Sequence, residues 1–205
     1  QTKRLNVLMS NLLTLAKLDE EIPLPTETVN ISDVAGELLP AYTEDAQARN
    51  LRFTVQIEPD IVIQTNKDSF RQMLTVLLDN AIKYTPDGGS VRLSLARDGR
   101  HIQIIEENTC DPSLEPDPER LFERFYRVEK SRTTGAGGTG LGLSIVKHGL
   151  MVLGGEISVE SEVGKGTTLT VTYDTRNIDS LPMGDLAGTI LSLILVNPDR
   201  PEFLF

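Results

Sequence analysis

The sequence predicts an α+β protein, a two-layer sandwich of helices packed on a sheet and preceded by one amphipathic helix. Three observations predict it. Segments with the apolar period of a helix alternate with short β-rich runs. Those runs are joined by hairpin-type turns, DGR at 98–100 and VGKG at 163–166. Glycine or proline clusters, TPDGG at 85–89 and Gly154-Gly155 among them, punctuate the junctions.

Taken in order, residues 1–19 read as a helix in which Leu5, Leu8, Leu12 and Leu15 form a narrow stripe of the coiled-coil kind. Such a stripe suits a bundle or dimer seam, or packing on its own domain. Residues 20–29 are a linker, since the two prolines of EEIPLPTE cannot continue the helix. Ser32 can cap a helix to about Ala48, with Val34, Leu38, Leu39 and Tyr42 inward. Strands follow at 51–58 and 61–64, joined through Pro59. A long helix spans Lys67 to Tyr84 on the stripe Phe70, Met73, Leu74, Leu77, Leu78, Ala81 and Ile82. Residues 90–96 and 101–106 form a hairpin. A polar stretch, 108–118, leads into a short helix at 119–127 and then a flexible glycine-bearing segment, 129–140. A helix from Leu141 to Leu153 stops at Gly154-Gly155, and strands 156–161 and 167–173 close a domain of residues 30–173. Residues 174–205 fit this pattern poorly and are a tail of unknown role. Their apolar run, LAGTILSLILV, has 11 residues and is too short to span a bilayer.

Composition narrows the function. The chain has 205 residues, of which 39% are hydrophobic and 24% charged, so a core can form. A net charge of -10 argues against a nonspecific hold on nucleic acid or anionic lipid, which needs a basic surface. The single cysteine, Cys110, excludes an internal disulfide framework and multi-cysteine metal sites. His101 and His148 are too few for most zinc chemistry. The first residue is Gln inside a helical pattern, so we expect a piece of something longer.

Three segments carry polar groups beyond the needs of packing. Val76, Asn80, Lys83 and Tyr84 fall roughly on one face of the long helix. Asn80 offers a neutral oxygen to a hard divalent cation, and Lys83 a point charge to a phosphate; the same pair also suits a solvated face. The segment GAGGTGLGLSIV, 135–146, opens directly into a helix, where amides and the helix dipole favour phosphate. It follows no strand and lacks Gly-Lys-Ser/Thr, so it is neither a Rossmann nor a Walker loop; it also reads as a plain flexible start. In LFERFYR, 121–127, Phe122 and Phe125 can pack under a loop and Arg127 can meet a phosphate, or the segment is core packing alone.

Together these segments resemble the catalytic, ATP-binding region of bacterial two-component sensor histidine kinases, in the GHKL (Bergerat-fold) ATPase superfamily. LLDNAIKYTPDGG resembles the N box, LFERFYR the F box, GGTGLGLSIV the G2 box and GGEISVESEVGKGTTLTV the strands after it. The resemblance covers about residues 30–173. The first helix is similar to the second helix of the dimerisation and histidine-phosphotransfer domain. It implies that Asn80 coordinates Mg²⁺ on the triphosphate, that Lys83 and Arg127 contact phosphate oxygens, and that these three carry the catalysis. It implies that Tyr84 lines the pocket. Gly138, Thr139, Gly140, Leu141 and Gly142 would supply the lid hinge and the helix start over the phosphates. Lys130 and Arg132 lie in the lid.

Two positions depart from the family pattern. Val76 stands where such kinases usually have a second Asn and hydrolytic relatives a general-base carboxylate, which argues against water activation. EENTCDPS, 106–113, replaces the usual Asp-x-Gly-x-Gly of the G1 box, whose Asp binds the adenine amine. Counting back from LFERFYR without gaps puts Asn108 at that Asp; a shift of one puts Glu107 there. The implied function is transfer of the γ-phosphoryl of Mg-ATP to a histidine outside this chain, for onward transfer to a response-regulator receiver domain. The implied partners are the protein's own phosphoacceptor helix and a second copy in a homodimer, with no nucleic acid. The implied setting is the cytoplasmic portion of a membrane sensor. The rivals are a degenerate kinase domain acting as a weak nucleotide-binding or protein-contact module, and a serine-kinase anti-sigma regulator.

Overall fold

The structure, a computed structural model, describes residues 25–111, 113, 116–128, 139–163 and 165–174, with the Val152 side chain left out. The elements are β1 (Glu27–Asn30), α1 (Ile31–Ala48), β2 (Arg52–Ile57), β3 (Val62–Thr65), α2 (Lys67–Tyr84), β4 (Ser90–Asp98), β5 (His101–Asn108), α3 (Gly142–Val152), β6 (Gly155–Glu162) and β7 (Gly166–Asp174). A five-stranded sheet runs β2-β4-β5-β7-β6, and β1 and β3 form a separate pair. The helices cover one face of the larger sheet around a single core, which is the expected two-layer sandwich. The first helix and the tail after Asp174 lie outside the described residues.

Strand alternation decides which side chains reach the core. On β5, Ile102, Ile104, Glu106 and Asn108 are buried, while Gln103, Ile105 and Glu107 face the other way. Val91, Leu93 and Leu95 on β4 and Leu169, Val171 and Tyr173 on β7 share the inner face. The stripe predicted for the long helix is buried at all seven positions of α2. Full burial of each such large apolar side chain contributes about 1.5–3 kcal/mol.

The structure corrects four local expectations. The cap of α1 is Asn30, whose Oδ1 accepts from the amides of Ser32 at 3.1 Å and Asp33 at 3.4 Å. Ser32 is buried one position inside and donates instead to the Glu58 carbonyl at 2.7 Å. Residues 27–29, placed in the linker, form β1 together with Asn30, because Val29 has an apolar surface to join opposite Ile63. The strands on either side of Pro59 part company. Asp60, at φ 56, turns the chain, so that β3 pairs with β1 and β2 runs parallel to β4. The α2 crossover between β2 and β4 is the long connection that parallel pairing requires. Finally, 119–127 is a series of turns and not a helix. Its bonds are three-residue steps, Arg120 N to Asp117 O and Glu123 N to Arg120 O. Phe125 sits at φ 66 and donates its amide to Gly140 O at 2.8 Å, which takes it out of any helical ladder.

Two side chains, Tyr42 and Arg49, hold α1 against α2. The Tyr42 hydroxyl donates to Asp79 at 2.8 Å, and burial with the neighbouring carboxylate pushes its pKa up. Arg49, just past the end of α1, donates to the Ile82 carbonyl, to the Thr85 carbonyl at 2.9 Å and to Asp87 at 2.8 Å. A cation on the last carbonyls of a helix satisfies orphan acceptors and complements the helix dipole. The guanidinium is partly exposed, so Arg49→Ala is expected to cost about 1–2 kcal/mol, below the full range for charged hydrogen bonds. Urea unfolding measures it, and a loss under a few tenths of a kcal/mol would mean that the last turn of α2 holds itself.

Candidate functional site

The C-terminal half of α2 is one wall of the site. Asn80 is half-buried, off the apolar stripe, and its carboxamide makes no hydrogen bond among the described residues. One turn on, the Lys83 ammonium lies 4.6 Å from the centre of the Tyr84 ring and donates to its hydroxyl at 3.1 Å. Both side chains are half-buried. The helix ends at Thr85, which is 1% exposed and whose hydroxyl donates to the Ala81 carbonyl at 2.6 Å.

That hydroxyl orients the next group. Its proton is committed to Ala81, so towards Asn108 it can only accept. Asn108 Nδ2 accordingly faces Thr85 Oγ1, at 3.4 Å, and also donates to the Thr109 carbonyl at 3.2 Å. The Oδ1 of Asn108 carries no hydrogen bond among the described residues and is the acceptor left to a ligand. Glu107 is on the opposite face of β5, 3.3 Å from Arg92, and cannot reach the same space. Strand alternation thus puts Asn108, and not Glu107, on the inner face beside Thr85. Thr167 stands opposite Asn108 in the β5–β7 ladder, with its hydroxyl 3.1 Å from Cys110 Sγ and 2.9 Å from Ser161 Oγ.

The third wall is the glycine segment. Gly140 is at φ 72, and a Cβ there would come within 2.8 Å of the Phe125 backbone. A Cβ at Gly142 would meet Val76 Cγ1 at 3.0 Å. These glycines thus let the start of α3 approach both the 121–127 segment and α2. Leu141 is fully buried and anchors that start, and its amide donates to Thr139 Oγ1 at 3.3 Å. Among the described residues no side chain caps α3 itself, so none of them takes up its first-turn amides. Lys147 on α3 lies 5.2 Å from the centre of the Phe122 ring, and Arg127 is half-buried nearby in sequence.

Thus α2 meets β5 through Thr85 and Asn108, α2 meets α3 through Val76 and Gly142, and α3 meets the Phe segment through Gly140. Asn80, Lys83, Tyr84, Asn108, Arg127, Thr139, Gly140, Leu141 and Gly142 all belong to these joined elements. Gly138, Lys130, Arg132 and most of the flexible segment expected at 129–140 lie outside the described residues. Sequence reasoning missed Thr85, Thr167 and Glu106. Glu106 was accessible to it, since a residue two before Asn108 on a strand must share its face. It is 1% exposed, neither carboxyl oxygen has a hydrogen-bond partner, and burial raises its pKa to about 8.

Known proteins share the sequence pattern and the fold of this chain. Residues 65–177, more than half of the chain, match the family described as histidine kinase-, DNA gyrase B-, and HSP90-like ATPase. The phosphate regulon sensor protein PhoR of Pseudomonas aeruginosa is 38% identical over 177 residues, covering 83% of this chain and 39% of that protein. Sensor histidine kinase WalK of Bacillus subtilis is 33% identical over 178 residues, covering 84% and 29%. The chain thus spans well under half the length of these relatives. Among solved structures, Acinetobacter baumannii histidine kinase AdeS shares the fold with TM-score 0.69 at 22% identity, over 85% of this chain and 80% of that one. Full-length ShkA, solved in complex with AMPPNP, has TM-score 0.68 at 27% identity, over 82% of this chain and 35% of that one. By sequence and by fold, then, the chain belongs to the histidine kinase-, DNA gyrase B- and HSP90-like ATPase family and carries the catalytic domain of a sensor histidine kinase.

Proposed function

We propose that this domain binds Mg-ATP between α2, the end of β5 and the start of α3, and transfers the γ-phosphoryl group to a histidine on a phosphoacceptor helix outside the chain. From there the group passes to the aspartate of a response-regulator receiver domain. The observation that carries the reading is the Oδ1 of Asn108. It is an acceptor on a buried residue, its direction is set by Thr85, and no described residue uses it. An acceptor so placed suits the exocyclic amine of adenine and opposes the carbonyl that guanine has there. ShkA, of the same fold, was solved with an adenine nucleotide analogue.

The chain's residues take the remaining roles. Asn80 presents a neutral carboxamide oxygen, which fits a hard cation that draws its other oxygens from phosphates. The Mg²⁺ ion, when bound, neutralises charge on the triphosphate during in-line transfer. Lys83 holds a phosphate as a point charge, its reach limited by the contact with Tyr84, and Arg127 meets phosphate from the opposite side. The first-turn amides of α3 face the same anion. Val76 puts an apolar side chain beside Gly142, and a valine cannot deprotonate a water, which suits transfer to a protein acceptor over hydrolysis. His101 is exposed at the first position of β5 and His148 sits on α3, both within this domain, so neither serves as the acceptor. In the intact protein we place the domain on the cytoplasmic side of a membrane sensor that works as a dimer. Among the described residues no helix is long and apolar enough to cross a membrane.

Calorimetry with ATP, in Mg²⁺ and in EDTA, tests the reading. The parent binds in Mg²⁺, and Asn80→Ala loses the Mg²⁺-dependent part while circular dichroism stays unchanged, since alanine is a good helix former. Binding by the mutant equal to the parent would remove Asn80 from the site. No binding by the folded parent would make the domain a protein-contact module. Thr85→Val is nearly isosteric but cannot accept from Asn108. It is expected to weaken ATP binding about 2- to 10-fold, the worth of one neutral hydrogen bond, and to shrink the preference for ATP over GTP. An unchanged preference would show that Asn108 holds its orientation without Thr85.

A further inference from the structure

Glu106 has no account in packing. Its ladder neighbours on the inner face are Leu93 on β4 and Leu169 on β7. The apolar stripe of α2, with Leu74, Leu77, Leu78 and Ala81, belongs to the same core, and the charge that acts on Glu106 is the adjacent Glu107 across the strand. A leucine or isoleucine would fill such a position without desolvating a carboxyl group, whose burial without partners is costly. The group lies one pleat step behind Asn108, about 6.6 Å along the strand, on the same face. Burial raises its pKa from the ordinary 4.5 to about 8, so at neutral pH it is a carboxylic acid with one proton to donate.

Adenine presents a donor, its exocyclic amine, beside an acceptor, the adjacent ring nitrogen N1. Asn108 offers a ligand only an acceptor, because its Nδ2 is turned to Thr85 and the Thr109 carbonyl. The pocket therefore needs a donor next to that acceptor, and Glu106 is the buried donor on the same face without a partner. We propose that Glu106, as the neutral acid, is a second base-reading residue that donates to N1 of the adenine while Asn108 accepts from the amine. The proposal rests on the adenine-nucleotide reading of the site and adds to it the group that recognises the ring.

The test pairs residue and ligand atom. ADP and 1-deaza-ADP, which lacks the N1 acceptor, are titrated by calorimetry into the parent, Glu106→Gln and Glu106→Leu in Mg²⁺. The parent should prefer ADP over 1-deaza-ADP by about tenfold, the worth of one hydrogen bond in a site built for it. Glu106→Leu should bind both alike. Glu106→Gln, whose amide can donate to N1, should keep most of the preference. ADP affinity of the parent should also fall as pH rises through about 8, where the acid loses its proton, and Glu106→Gln should remove that fall. Folding supplies a control of known sign. A raised pKa makes this group's contribution to stability decline from about pH 4.5 through about 8, and Glu106→Gln should lack that decline even if Glu106→Leu fails to fold. Equal ADP to 1-deaza-ADP ratios in parent and variants would overturn the proposal and leave the nucleotide reading standing. Failure of the folded parent to bind ADP would overturn both.

Discussion

The C-terminal end of α2 is the point on which the rest of the site depends. A helix leaves its last carbonyls without partners, and here three groups take them up. The Thr85 amide and hydroxyl both return to Ala81, while the Arg49 guanidinium reaches across from the end of α1 to Ile82 and Thr85. Because the Thr85 proton is used in this way, its lone pair is what Asn108 meets on β5. A capping contact thereby decides which end of the Asn108 amide is turned to Thr85 and which is left without a described partner. Asn80, Lys83 and Tyr84 lie within the last two turns of the same helix, so the bracing that orders its end also sets their positions.

The glycines of the 135–146 segment illustrate how packing and binding can make the same demand. At Gly140 and Gly142 a side chain would collide with the Phe125 backbone or crowd Val76 before any ligand is considered. The close approach they permit leaves the first amides of α3 uncapped at the mouth of the site. In this protein the turn that displaces Phe125 from a helix, at φ 66, is the same one that lets its amide reach Gly140. The Phe segment and the start of α3 are thus joined by a backbone hydrogen bond that needs glycine at 140 and no side chain from Phe125.

Most levels of the sequence agree with the fold, as expected of a chain that specifies one structure: the α2 stripe, the hairpin turn at Gly99 and the stop at Gly154. Glu106 is the clear conflict among the described residues. This local rule is broken in the middle of an apolar row, one step from Asn108, and the proposed role in base reading gives it a reason.

The sequence by itself determined the layers, the long helix with its seven buried positions, the antiparallel hairpins and the order of the motifs. These follow from period, propensity and turn chemistry, which act over a few residues. It also determined that Asn108 and Glu107 cannot share a role, since they occupy opposite faces of a strand, but not which of them faces inward. Only the tertiary structure decided that, because the inward face is whichever the helices cover. It likewise decided that β2 joins β4 in parallel while β3 joins β1, a pairing between segments far apart in the chain. The cap of α1, the unwound 119–127 segment and the orientation of the Asn108 amide were settled by long-range partners as well. Ser32 is drawn to Glu58, Phe125 to Gly140 and Asn108 to Thr85, and none of these partners lies within reach of a local sequence pattern.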